Sequence, residues 1–526
     1  MATDLDPTGK ERLGDLADEV DAALDDLITR HALERIWAGD HTLWQDDPTE
    51  VADRLGWLHV VTEMRIQQAT LEGFASDAIA SGFTHAVLVG MGGSSLFPEV
   101  IARTFQGGGP PAGGLLLTVL DTTDPAAVAR AAETSPLDRT LFVAASKSGT
   151  TLETRSHLAF FWELVGRPEQ FAVVTDPGSA LARLAYERRF RAVFENREDV
   201  GGRYSALSYF GLVPAAVAGV DVAALLETAT AMGVELADGD RPDADQRTNP
   251  GLRLGAIMGA AARVGRDKLT LIIDPEIESF GLWIEQLVAE STGKQGTGVV
   301  PVVGEPVGAD PSVYGPDRLF VAIGTHPALD ALAGVGHPVI ELPYEGPTSL
   351  GALVLLWEFA TAVCGALLGI NPFDQPDVSA AKAATARVLD AGELPVVEVV
   401  PLAALLDQVR VGDYLAIQAY VDPGSDVVAR IEDVRARLRD DLKIATTFGL
   451  GPRFLHSTGQ LHKGGPPTGV FVQLVGDDRV DVPIAGQPYG FATLKQAQAI
   501  GDLETLRSRG LRAGRVALDE FLEVSA

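Results

Sequence analysis

From His85 onward, short apolar runs alternate with helix-length segments, and this rhythm restricts the fold more than any other property of the chain. The runs AVLVG (86–90), LLLTVL (115–120), LFVAA (141–145), FAVVT (171–175) and AVF (192–194) come first. Strands buried on both faces read as continuous apolar runs, and parallel strands need right-handed helical crossovers. The predicted class is therefore α/β, with doubly wound parallel sheets covered by helices in three layers. Ligands in such sheets bind beyond the C-terminal strand ends.

The polar stretch ADGDRPDADQRTNP at 237–250 reads as a linker or surface crossing. Alternation then resumes with LTLII (269–273), GVVPVV (298–303), LFVAIG (319–324) and PVIELP (338–343), followed by a long apolar helix at 347–369. Before His85, residues 9–32 place Leu13, Leu16, Val20, Ala23, Leu24, Leu27 and Ile28 at helical spacing, and 50–80 reads as more helix. Beyond 390 the runs VVEVV, YLAIQAYV, FVQLVG and RVALDE mix with helices at 424–440 and 491–509. The expected organisation is a helical N-terminal arm (1–60), two sheet domains (61–236 and 250–390) and a C-terminal α/β extension (391–526). No short-period repeat is present.

Charge excludes one class of partner. Asp plus Glu number 72 against 42 Lys plus Arg, a net −30, whereas nucleic acid is bound by clustered cations. The single cysteine, Cys364, excludes an internal disulfide and a cysteine-rich metal site, and fits a reducing, cytoplasmic setting. The N-terminus lacks the apolar segment of a signal peptide. Ala352–Ile370 is long enough to span a membrane but carries Glu358 at its middle, so a buried core helix is expected instead.

Four stretches carry chemistry. Ser146-Lys147-Ser148-Gly149-Thr150-Thr151 follows a buried strand and opens a helix; hydroxyls, a glycine and free helix N–H groups suit an anion, although an ordinary Ser/Thr N-cap has the same composition. Gly90-Met91-Gly92-Gly93-Ser94-Ser95 is a second strand-to-helix turn, which fails the dinucleotide spacing and suits a sugar or phosphate contact or a purely structural turn. Val200-Gly201-Gly202-Arg203-Tyr204-Ser205 sets an arginine between glycines and a helix start, where it can reach an anion or pair with Glu198 or Asp199. Helix 278–291 ends in Glu290-Ser291-Thr292-Gly293-Lys294, with Gln286 and Glu290 on one face. A carboxylate near a helix C-terminus is disfavoured as an anion, which suits a general base and is also common without function. A fifth stretch, His456 to Pro466, gathers two histidines and Lys463 in a glycine-rich loop; its spacing fits no zinc pattern, and no metal is expected.

Together GMGGSS, SKSGTT, VGGRYS and ESTGK, with PTSLGAL (347–353) and INPFDQPDV (370–378), resemble the phosphoglucose isomerase family in order and spacing over 90–380. GPRFLHSTGQLHKGGP and FATLKQAQAIGDLETL are similar to the bacterial branch sometimes fused to a transaldolase. The resemblance implies two sugar-isomerase (SIS-type) domains, a homodimer with sites at the domain and subunit interface, sugar phosphates as substrates, and no cofactor. It implies that Ser146, Lys147, Ser148 and Thr151 bind the phosphate, that Gly93, Ser94 and Gly202 lie near the substrate, and that Gln286 positions the sugar. Arg203 would stabilise an enediolate and Glu290 would be the base. Gly149 stands where many relatives carry a bulkier side chain, which would loosen the loop.

The chain departs from the pattern in one respect. The family's ring-opening histidine follows the Glu-Ser-x-Gly-Lys helix closely, in a loop ending His-x-x-x-Gln-Leu. That interval holds only His326 and His337, while His456-Ser457-Thr458-Gly459-Gln460-Leu461 matches far downstream. His456 is therefore assigned the role, with Lys463 as a partner for the sugar hydroxyls or the ring oxygen. The expected function is interconversion of glucose 6-phosphate and fructose 6-phosphate. Alternatives are a dual phosphoglucose/phosphomannose isomerase and a non-catalytic sugar-phosphate sensor, the latter disfavoured by the presence of Glu290 and Arg203.

Overall fold

The chain enters its fold as a strand where the apolar spacing of 9–32 predicts helix. In the computed structural model, which describes residues 10–524 except 108, 111–112, 238–244 and 309, β1 (Lys10–Arg12) pairs antiparallel with the 339–341 segment. Its charges suit a sheet edge, because ladder pairing uses only the backbone, and Glu11 binds Arg253 at 2.6 Å. Helices Ala17–Thr29, Ala32–Trp37 and Trp57–Ala80 follow, the last running straight through residue 60. Half of the expected linker, 238–244, lies outside the described residues.

Three sheets share one winding of parallel strands, the second carrying β1 as an antiparallel edge. β2 (His85–Val89), β3 (Leu116–Leu120), β4 (Thr140–Ala145), β5 (Phe171–Thr175) and β6 (Ala192–Glu195) lie in the order β3-β2-β4-β5-β6. β7 (Lys268–Ile273), β8 (Val300–Val302), β9 (Arg318–Ile323) and β10 (Val339–Leu342) form the second sheet, order β1-β10-β9-β7-β8. The C-terminal region is a third such unit: β11 (Tyr414–Tyr420), β12 (Ala445–Leu450), β13 (Gly469–Val475) and β14 (Arg512–Arg515), order β12-β11-β13-β14. In each, the second strand of the winding lies outside the first and the third returns to its other side. The loops at that reversal leave a crevice at the strand ends, and in the first sheet they are those after β2 and β4, which carry GMGGSS and SKSGTT.

The C-terminal reading needs correction in detail. VVEVV is extended but contributes only a bridge from Val399 to Arg515, and RVALDE straddles the end of β14 and a helix at Leu518–Leu522. The apolar candidate for a membrane span is helix Leu350–Leu368, and 94% of its apolar window is buried within the protein. It packs on helix Pro250–Arg263 so closely that side chains at Gly251, Gly255 and Gly259 would meet Phe359, Val363 and Leu367 at 2.6, 2.5 and 2.9 Å.

Candidate active site

A cavity of about 390 Å³ lies between the three units, of a size suited to a small phosphorylated ligand. Its walls bring together Gly93, Ser94, Lys147, Ser148, Thr151, Gly202, Arg203, Gln286, Glu290 and His456. Ser146 lies behind Thr151, with their hydroxyls 3.0 Å apart. Of the residues assigned from sequence, Lys463 alone has its charge turned away: its Nζ is buried on Asp502 at 2.6 Å and contributes only to the wall of a neighbouring chamber.

The loop Ser146–Thr151 is held by its own hydroxyls. Ser146 Oγ accepts from the Gly149 N–H at 3.1 Å, and Ser148 Oγ lies 2.9 Å from Thr150 Oγ1. Helix Leu152–Val165 starts after Thr151 with no side-chain cap, so its first N–H groups and positive dipole end have no protein acceptor of that kind. An ordinary N-cap does not form here. Gly149 tightens the loop instead of loosening it: its φ is +68°, and a Cβ would lie 2.6 Å from the Leu181 nitrogen. Lys147 is held by Asp176 at 2.6 Å and by the Glu198 carbonyl at 2.8 Å.

Opposite the loop, Arg203 is fixed by four acceptors. Its Nε donates to Ser291 (3.0 Å), Nη1 to Gln375 (3.1 Å), and Nη2 to the Pro372 and Asp374 carbonyls (2.9 Å each). Lys294 anchors the same 372–375 segment by donating to the Asp374 carbonyl and carboxylate, both at 2.7 Å, and burial lowers its pKa to about 8. Glu290 lies 3.5 Å from Arg203, and this charge offsets the helix C-terminal dipole beneath it. Gln286 Nε2 donates to Glu290 (3.1 Å) and to the His456 carbonyl (2.8 Å), leaving Gln286 Oε1 without a protein partner.

The distant histidine arrives from the third unit. His456 Nε2 lies 2.8 Å from Glu153 Oε1, which also accepts from Gln498 at 2.6 Å. A carboxylate only accepts, so Nε2 carries the proton and Nδ1 keeps its lone pair in the neutral ring. Burial would push the Glu153 carboxyl up, but attraction to His456 in its protonated form and the hydrogen bond between them outweigh it and hold the pKa at about 2. Sequence reasoning missed Glu153, Gln375 and Lys382. Glu153 follows SKSGTT by two positions, Gln375 sits within INPFDQPDV, and Lys382 lies on helix Val378–Asp390, where its charge acts on Glu153. Among the described residues, no group of three His, Cys, Asp or Glu is arranged to hold a metal ion.

A second glutamate on the same helix as Glu290 is not part of the cavity. Burial raises Glu285 to about 8 from 4.5, against the pull of Arg435 and Arg453 and with a push from Glu432. The folded chain thus keeps a proton that the unfolded chain loses, and stability falls as pH rises from 4.5 through 8. Glu285→Gln should be near neutral at about pH 4.5 and should stabilise by about 2–4 kcal/mol at about pH 8.5, taking about 1.36 kcal/mol for each tenfold change in proton affinity and allowing for relaxation. Urea denaturation at the two pH values checks this, and equal gains at both would refute it.

Comparisons with known proteins identify the relatives of this chain. The sequence model of the family described as phosphoglucose isomerase matches residues 46–303. A glucose-6-phosphate isomerase of Gloeothece citriformis is 31% identical over 371 residues, 61% of this chain and 68% of the relative. Another, of Rubrobacter xylanophilus, is 30% identical over 422 residues, 70% of this chain and 95% of the relative. Among solved structures, a hypothetical protein from Thermus thermophilus superimposes with a TM-score of 0.60 at 25% identity, covering 72% of this chain and 100% of that one. A glucose-6-phosphate isomerase from Chlamydia trachomatis shares the fold, with a TM-score of 0.53 at 23% identity over 69% of this chain and 79% of its own. With identity at this level over more than two thirds of these relatives' length, the chain belongs to the phosphoglucose isomerase family.

Proposed function

We propose that the chain interconverts glucose 6-phosphate and fructose 6-phosphate in the cytoplasm. The observation that carries this reading is the pairing, in one cavity, of a carboxylate beside a four-times-anchored guanidinium with an uncapped helix N-terminus on the other wall. The 6-phosphate takes the N-terminus and the Ser146–Thr151 hydroxyls, fixing the far end of the sugar. Glu290 removes the proton from C2, the C1–C2 enediolate forms with its oxyanion toward Arg203, and Glu290 returns the same proton to C1. Glu290 carries the carbon-bound proton, a second proton passes from the C2 hydroxyl to the C1 oxygen, and with both transfers the reaction balances without a redox partner.

Ring opening falls to His456, set by Glu153, with Lys382 of the cavity wall toward the sugar hydroxyls, since Lys463 is committed to Asp502. His456→Ala should lower kcat on cyclic substrate about 10²-fold and have a several-fold smaller effect on a sugar phosphate that is already ring-opened. Coupled assays on the two substrates test this; equal losses would remove the ring-opening role. The function as a whole is tested by assaying fructose 6-phosphate conversion with purified protein, with and without chelator. Inactive protein, or activity abolished by chelator, would refute it.

A further inference from the structure

His456 belongs to the third sheet unit, whereas Glu290, Arg203 and the phosphate loop belong to the first two. We propose that each chain completes its own active site: the C-terminal unit acts as a built-in partner that delivers His456 in cis, and no second copy contributes a residue to the cavity. The inference rests on the reading of Glu290 and His456 given above.

The course of the chain carries the argument. Helix Val378–Asp390 begins in the cavity wall, to which Val378 and Lys382 contribute. It then lies along helix Phe491–Ser508 so closely that a Cβ on Gly501 would sit 2.7 Å from the Thr385 nitrogen. Only residues 391–398 separate its end from Val399, which bridges to Arg515 in the third sheet. That segment reaches at most about 29 Å when extended. The polypeptide therefore passes from cavity to C-terminal unit while in contact with both.

The docking is also built like an interior. Gln498 donates to Glu153 at 2.6 Å, Lys495 to Asp124 at 2.7 Å and Arg453 to Asp121 at 2.7 Å, each joining the C-terminal unit to a crossover of the first sheet. The three carboxylates are buried. Withdrawing the unit would break all three contacts and uncover Phe491 and Leu494, which share one apolar cluster with Phe142 and Phe171. The unit is thus a fixed wall of the site, and a homodimer, if formed, would share no cavity residue across its interface.

A complementation experiment decides the matter. Glu290→Gln and His456→Ala chains carrying different tags are co-expressed, and mixed assemblies are isolated by capture on both tags in succession. With sites in cis, every site carries one lesion, and turnover of cyclic substrate stays at the level of the single variants. Recovery to about half the native specific activity, one intact site in a two-site dimer, would overturn the proposal. Where no mixed assembly forms, full native activity from a species sedimenting as a single chain supports it. Each variant is also assayed alone, so that a failure of the catalytic reading is seen separately as native-like turnover in a single variant.

Discussion

Glu290→Gln should lower kcat for fructose 6-phosphate by about 10³-fold or more, near the upper part of the range for loss of a general base, with KM changed only a few-fold. The amide keeps the shape of the carboxylate and can still accept from Gln286, whose Nε2 lies 3.1 Å from Glu290. The phosphate loop is untouched, so ground-state binding should persist. The fall in kcat alone is the signature of an interaction made in the transition state.

The choice of base rests on burial and position. Three carboxylates line the cavity: Glu50, Asp176 and Glu290. Glu50 is paired with Arg54 at 3.7 Å, and Asp176 holds Lys147 at 2.6 Å. Glu290 is buried between Arg203 and Gln286, which sets the carboxylate and the guanidinium of the proposed mechanism side by side. A coupled assay, with deuterium wash-in from solvent as a second readout, checks the variant. Near-native turnover would place the base elsewhere.

The strands that position this site were legible wherever burial on both faces left a continuous apolar run. β4 is the clearest, with all six residues buried. β12 escaped because ATTFGL has no such run and is held by backbone pairing to β11, from Tyr414↔Ala445 onward. β1 escaped for the opposite reason: three charged residues at a sheet edge look like a solvated helix turn. His456 could be read from its local motif although the chain order was altered, since a cavity is assembled in space. The pairing of Lys463 could not be read, because nothing in the glycine-rich loop reveals Asp502 on a later helix. Lys382 had no local signal at all, lying in an alanine-rich helix.

The assembly of the motifs depends on glycine as much as on charge, and Gly93→Ala should show this with the second-largest effect on catalysis. A Cβ on Gly93 would lie 1.9 Å from the Gly202 carbonyl oxygen and 2.4 Å from its carbon. Both are backbone atoms, so no rotamer relieves the clash and the two turns must part. Gly202 precedes Arg203, whose guanidinium has four fixed acceptors and cannot follow freely. A displacement of about 1 Å at such a group costs about 10²-fold in kcat/KM, and the overpacking should cost about 1–3 kcal/mol of stability. Gly202→Ala is the matched control: it lies in the same contact, but its Cβ meets nothing within 4 Å, so thermal stability should stay near native. Steady-state kinetics and melting of the two variants side by side test the account. Equal stability of the two variants would mean that the turns are not pressed together as described, and that Arg203 owes its position to its acceptors alone.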